Sequence, residues 1–303
     1  LDSTKFAHSC LCALSFCPLN SSFFFDILIN LLESRTPTYL AVALDVSGDT
    51  GTFRSEIDPD YKANREEAPD DFGPQVDRCL QLIEAMGIPL LGVEGAEADD
   101  VIAYATRLPQ FEGWEKIIVS SDKDFLQLCD DETVLFRPIQ KKVHNRNNVL
   151  EEYGIHPNNF ALVRAMVGDT SDNLPGVSRL GLATVAKKFP FLKEEKCYHL
   201  EDILEACQAA PQQLKIYANI IESRDLIQSN YDIMQLAAPC MSQQAKQRIE
   251  PMAYLEIFGL IPKARVNNPS VDPAIRSQII QTTVIAIDQA IRQEKDALQF
   301  YGK

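Results

Sequence analysis

Long hydrophobic runs are missing from this 303-residue chain. No stretch approaches the roughly 18 uncharged apolar residues that cross a bilayer, which excludes a membrane-spanning helix of that kind. The best candidate, Ser22 to Leu32, is short and interrupted by Asp26, so it reads as a buried helix. No secretory leader is expected, because Asp2, Lys5 and His8 break the early apolar character. The chain opens on Leu1, as a fragment or trimmed product would. Paired cysteine spacing is absent too. Cys10, Cys12, Cys17, Cys79, Cys129, Cys197, Cys207 and Cys240 are scattered. Reduced, mostly buried thiols of an intracellular protein are expected, rather than zinc sites or disulfides. Positive charge is scarce: 29 Lys and Arg face 43 Asp and Glu, a net charge of −14. That argues against a generic nucleic-acid binder relying on overall charge. Internal repeats and low-complexity tracts are also lacking.

What the chain has is grouped acid. Glu97-Ala98-Asp99-Asp100, Ser121-Asp122-Lys123-Asp124 and Gly168-Asp169-Thr170-Ser171-Asp172-Asn173 gather seven carboxylates into three tight sets. Acids at a helix start are favoured by its dipole at about 0.3–1 kcal/mol each, which accounts for any one of them. It does not account for three there and two more at a neighbouring strand end. Close carboxylates repel and must protonate or find a cation. Oxygen-only ligands suit Mg²⁺ or Mn²⁺. Two such ions about 4 Å apart are a recurring device for cutting phosphodiesters.

Short apolar runs at Tyr39–Leu44, Ile88–Val93, Lys116–Ser120 and Thr133–Phe136 alternate with helical spacing over Gln75–Met86 and Ala98–Leu108. This predicts an α/β fold with a mainly parallel central sheet flanked by helices. Sites in such sheets form beyond the carboxyl ends of the strands, where Asp45, Asp122 and Asp124 fall. Asp2 is expected there as well, at the end of a first strand. From about Tyr153 helical signals dominate: Pro157–Val167, Leu182–Phe189, His199–Ala209, Leu214–Ile227 and a long helix over Ala274–Phe300, after a linker at Asn267–Pro273.

These residues, with Tyr61-Lys62-Ala63-Asn64-Arg65, resemble the 5′-nuclease family: the 5′→3′ exonuclease domain of DNA polymerase I and the flap endonucleases of bacteria and phages. The match runs from Asp2 to about Leu236. The resemblance implies a PIN-like nuclease domain over 1–155, including a helical arch at about 61–95. It implies a helical DNA-binding region with a helix–three-turn–helix over 156–238, and leaves 239–303 as a helical extension of unknown role. It makes Asp2, Asp45, Glu97, Asp99, Asp100, Asp122, Asp124, Asp169 and Asp172 ligands of two or more Mg²⁺ or Mn²⁺ ions. Lys62 and Arg65 become catalytic cations at the arch base. Tyr61 becomes a platform on which an unpaired base stacks. Gly176, Arg179, Gly181 and Lys187 become DNA contacts, with K⁺ at the helix–three-turn–helix.

The implied activity is two-metal hydrolysis of DNA and RNA primers, leaving a 5′-phosphate and a 3′-hydroxyl, in replication and repair. The implied partners are DNA flaps, nicks and RNA primers, for a monomer in the cytoplasm of a bacterial or phage-infected cell. Arg179 stands where the family usually has glycine, Ala183 where lysine is common, and Ser9 where many relatives carry arginine. The strand before Asp2 is almost wholly absent, and no polymerase domain fits in the remaining residues, so a free-standing nuclease is expected. Basic patches at Arg137, Lys141, Lys142, His144 and Arg146, and at Lys187, Lys188 and Lys193, are candidate DNA contacts sensitive to salt. An acidic-site ribonuclease and a catalytically impaired DNA-junction binder are the alternatives.

Overall fold

The computed structural model describes residues 10–15, 26–31, 37, 39–45, 51–65, 72–85, 88–210 and 214–238. Asp2 and the expected helix over Ala274–Phe300 lie outside these. Six strands form one sheet: β1 (Cys10–Ser15), β2 (Tyr39–Ala43), β3 (Leu90–Leu91), β4 (Glu115–Val119), β5 (Thr133–Arg137) and β6 (Lys142–His144). Their order is β3-β2-β1-β4-β5-β6. All pair in parallel except β6, which runs antiparallel to β5. The predicted mainly parallel sheet is therefore present.

Alternation along β2 shows why both faces are covered. Tyr39, Ala41 and Ala43 join one apolar cluster, while Leu40 and Val42 join another. The second cluster is completed by Leu28 and Leu31, from helical residues 26–31 (α1), and by Cys79 and Ile83 of α3 (Phe72–Ala85). A short helix α2 (Phe53–Ile57) lies between β2 and α3 in the chain. The first cluster takes in α4 (Ala98–Ala105) and runs on through α5 (Arg146–Tyr153), α6 (Phe160–Val167), α7 (Leu182–Lys188), α8 (Leu200–Ala209), α9 (Lys215–Glu222) and α10 (Arg224–Met234). The single helix expected over Leu214–Ile227 is broken at Ser223, which ends α9 and precedes α10. Cys79, Cys129 and Cys207 are buried free thiols and Cys197 is an exposed one.

The first described strand begins after Asp2, which itself lies outside the described residues. β1 follows Asp2 in the chain, so Asp2 does not close it. Register places Ser15 opposite Ala43, and Leu14 opposite Val119. The carboxyl ends of β2, β1 and β4 are thus level. Asp45 and Asp122 lie just past β2 and β4, but Phe16 and Cys17 follow β1.

Candidate active site

The site begins at the amino end of α4. Its first amides lack partners within the helix. Asp45 Oδ1 accepts the Ala98 N–H at 2.7 Å, tying β2 to α4. Asp100 Oδ2 accepts the Glu97 N–H at 3.1 Å. Asp99 then faces Asp45, Glu97 and Asp122. Burial, followed by those like charges, pushes its carboxyl well above the usual carboxylate range, with only Arg54 opposing. Asp100 is held differently from Asp99. It is fully buried, and its two oxygens take Nη1 and Nη2 of Arg54 at 2.5 and 2.7 Å. Three of its four lone-pair sites thus take donors from within the chain.

A second acidic group gathers around another buried arginine. Arg164 Nε donates to Asp124 Oδ1 at 2.6 Å, its Nη2 donates to Asp169 Oδ2, and its Nη1 reaches the Gly168 carbonyl at 3.3 Å. Asp169 Oδ1 also accepts from the Ser171 N–H and hydroxyl, at 2.8 and 2.5 Å. The Arg164 and Ser171 contacts hold the Asp169 carboxyl below its ordinary value, against its burial. Asp124 goes the other way, pushed up to about 7 by burial and then by Asp122, despite Arg164. Asp122 Oδ1 accepts the Asp124 N–H at 2.7 Å.

The segment 58–65 is stitched onto both groups. Lys62 Nζ bonds Glu97 Oε2 at 2.7 Å, and Arg65 Nη2 bonds Asp172 Oδ1 at 2.6 Å. The Lys62 N–H donates to the Asp172 carbonyl at 2.9 Å, Asn64 Nδ2 to Thr170 at 2.8 Å, and Asn173 Nδ2 back to Asp60 at 2.8 Å. Lys62 and Asn173 hold φ of 59° and 60°, a left-handed conformation seldom kept by non-glycine residues without a local reason. Tyr61, the expected base platform, lies against the site in the DNA-free chain. Its ring packs against the cluster of Leu174, Ile233 and Met234, and its hydroxyl donates to Glu97 Oε2 at 3.2 Å. Burial and the neighbouring Glu97 and Asp172 keep it a neutral phenol.

Arg54, Tyr61, Glu97, Asp99, Asp124 and Asp172 line one recess, floored by Leu174, Ile233, Met234 and Leu236. Gln127 helps hold that floor through Met234 and Leu236. Sequence reasoning missed Arg54, Arg164 and Gln127. Only Arg164 left a signal: a lone charge in the otherwise apolar Phe160–Val167.

Among the described residues no three acid, histidine or cysteine groups stand close enough together to hold one metal ion. The donor chemistry nevertheless fits a hard dication, since the titratable acids facing Asp99 are all carboxylates. The spacing is set by resident cations, with Glu97 drawn to Lys62 and Asp172 to Arg65.

Of the expected DNA contacts, Arg179 and Lys187 are exposed. Arg179 carries φ of 63°, which explains why glycine would suit that position. A Cβ on Gly181 would meet nothing within 4 Å, so a ligand backbone has room there. A Cβ on Gly176 would strike the Val167 carbonyl at 1.8 Å, so this glycine is required by packing. In the first basic patch Lys141 is exposed, while the other four have partners within the chain. Arg137 bonds the Ser121 carbonyl, Lys142 and His144 reach Glu152, and Arg146 pairs with Asp131 and Glu195.

Comparison with known proteins agrees with this geometry. Residues 18–154 match the model of the 5′-3′ exonuclease, N-terminal resolvase-like domain. The DNA polymerase I of Mycobacterium bovis is 40% identical over 169 residues, covering 54% of this chain and 18% of that protein. The 5′-3′ exonuclease of Aquifex aeolicus is 35% identical over 176 residues, covering 57% of this chain and 60% of that protein. The chain thus spans about a fifth of the polymerase relatives' length. Among solved structures, a mutant T5 5′-exonuclease superposes with a TM-score of 0.66 at 20% identity, covering 82% of this chain and 99% of that one. A bacteriophage T5 flap endonuclease in a pseudo-enzyme-product complex with DNA and metal ions gives 0.65 at 20% identity, covering 81% and 99%. The fold is that of the 5′-nucleases, and residues 18–154 are similar to the family of 5′-3′ exonuclease N-terminal domains.

Proposed function

We propose that this chain is a metal-dependent 5′→3′ exonuclease or flap endonuclease that hydrolyses phosphodiester bonds in DNA and RNA primers. The observation that carries it is the convergence on Asp99 of Asp45, Glu97 and Asp122, from the ends of β2, α4 and β4. That pocket of like charge has its natural counter-charge in dications. Asp45, Glu97, Asp99 and Asp122 would hold them, with Asp124 and Asp172 on the far side. When bound, such ions activate water and stabilise the charge that develops on the phosphate. Lys62 and Arg65 then turn from carboxylates to the anionic oxygens of the scissile phosphate. Tyr61 acts on Glu97 rather than by stacking a base.

The arch that selects a free 5′ end would lie within 61–95, short of β3, which belongs to the sheet. The α6–α7 connection serves as the helix–three-turn–helix, where Gly181, Arg179 and Lys187 meet duplex phosphates and K⁺ binds the backbone. On this reading 1–155 is the nuclease part and 156–238 the DNA-gripping part of a cytoplasmic monomer, with 239–303 as an extension.

A second reading is a junction-binding protein that cuts poorly. Arg179 and Ala183, which stand where the family usually has glycine and lysine, favour it. One assay decides. A 5′-labelled flap is incubated with the protein in Mg²⁺ or in EDTA. Metal-dependent release of a short labelled product is expected. Binding without cleavage supports the second reading, and cleavage of RNA alone would make the chain a ribonuclease.

A further inference from the structure

We propose that Arg54 is a positioning residue of this site and that Asp100 is its fixed counter-ion rather than a metal ligand. The inference deepens the metal-dependent reading and rests on it. Arg54 is 3% exposed and Asp100 0%. The guanidinium forks onto both Asp100 oxygens, and its Nε donates to the Ile233 carbonyl at 3.0 Å. It joins α2, the start of α4 and the end of α10. Asp100 passes the constraint on, since the same Oδ2 accepts the Glu97 N–H. Arg54 Nη1 lies 3.8 Å from Glu97 Oε2, a permanent positive charge behind the recess. Successive residues on a helix turn by about 100°, so fixing Asp100 inward fixes where Glu97 and Asp99 project. A metal would have to compete for a carboxylate of whose four lone-pair sites three already take donors.

The same four letters, Glu-Ala-Asp-Asp, therefore hold two kinds of acid. Glu97 and Asp99 face the recess, while Asp100 faces the interior and sets their direction. Truncating one partner of a buried pair leaves the other uncompensated, whereas replacing both by apolar groups of similar size is often tolerated. That asymmetry supplies a variant that folds.

Mn²⁺ binding to the DNA-free full chain, followed by the electron paramagnetic resonance signal of free Mn²⁺, separates the roles. Asp99→Asn is expected to weaken binding by about tenfold or more, as loss of a ligand does, while Asp100→Asn stays within about threefold and lowers Tm by several degrees. Arg54→Met/Asp100→Leu is expected to recover most of that Tm. On a flap substrate at saturating Mn²⁺, its kcat should fall about tenfold or more with KM unchanged, because Glu97 and Asp99 have lost their alignment. If folded Asp100→Asn loses Mn²⁺ as severely as Asp99→Asn, Asp100 is a ligand and the proposal fails. Full kcat in the double variant would reduce Arg54 to a structural residue. If Asp99→Asn binds Mn²⁺ normally, the metal-dependent reading itself falls, and the proposal falls with it.

Discussion

The site holds two pairs of cations on similar acids, and burial separates their jobs. Arg54 and Arg164 have side chains only 4% and 10% exposed, and each forks onto carboxylates that have little access to water. Lys62 and Arg65 are 23% and 56% exposed, and each holds a single carboxylate oxygen. A buried ion pair has paid its desolvation and cannot release one partner without leaving an unpaired charge. An exposed pair exchanges partners at little cost. The inner arginines therefore fix geometry, while Lys62 and Arg65 remain available to another anion. Chemical similarity conceals this division; depth reveals it.

The comparison breaks most visibly at Arg164. Arg164→Met leaves Asp124 and Asp169 facing each other without their cation, and stability should drop by about 3–5 kcal/mol. Denaturant unfolding measures it. A loss below about 1 kcal/mol would place Arg164 with the exchangeable pair. Lys62→Ala should do the opposite, changing unfolding little while turnover falls by about 10²–10³. DNA affinity should change much less than turnover, and equal losses in both would remove Lys62 from the chemistry.

The two classes of cation were unequally legible in the sequence. Tyr61-Lys62-Ala63-Asn64-Arg65 is a local motif, and the acids are grouped, so both announced themselves. Arg54 finds Asp100 46 residues away, and Arg164 finds Asp124 at a distance of 40. No short window contains both partners. The same limit governed the fold. β2, β4 and β5 were visible as apolar runs, and α3, α4, α6 and α8 by helical spacing or apolar content. β1, Cys-Leu-Cys-Ala-Leu-Ser, has no polar alternation, and pairing between β2 and β4 makes it a strand. β6 is short and polar and depends on β5 for its place. Asp100 was grouped with Asp99 because adjacency in the sequence says nothing of which way a helical side chain turns.

Acidity sharpens the contrast, because the acids left without enough cation should report on pH. In metal-free protein the Asp124 carboxyl rises to about 7, and Asp99 rises too. The folded state then keeps protons that the unfolded chain releases from about pH 4 upward. Stability must fall as pH climbs from about 4 to 7, by on the order of 4 kcal/mol. Asp169 acts with the opposite sign. Its lowered carboxyl stabilises the fold above the ordinary carboxylate range, and that contribution is lost on acidification. In EDTA, Tm should therefore peak on the acid side of neutrality, and Mg²⁺ should raise it more at pH 8 than at pH 5. A metal increment independent of pH would show that these carboxylates do not meet the ion.

The smallest effect comes from a cation outside the recess. Arg179 is exposed and keeps φ at 63°, a conformation costing a non-glycine residue on the order of 1 kcal/mol. Neither a buried pair nor an acid of the site holds it there, so it belongs to neither class. If its charge serves DNA, Arg179→Gly should trade one property for the other. The glycine relieves the backbone while making the unfolded chain more flexible, so the net gain in stability is at most about 1 kcal/mol. Affinity for duplex DNA should fall, and the slope of log K against log salt should shrink by about one unit, as the loss of one phosphate contact requires. Arg179→Lys should retain most of that slope. A glycine variant that binds DNA with an unchanged salt slope would mark Arg179 as a strained bystander and confine the working cations to Lys62 and Arg65.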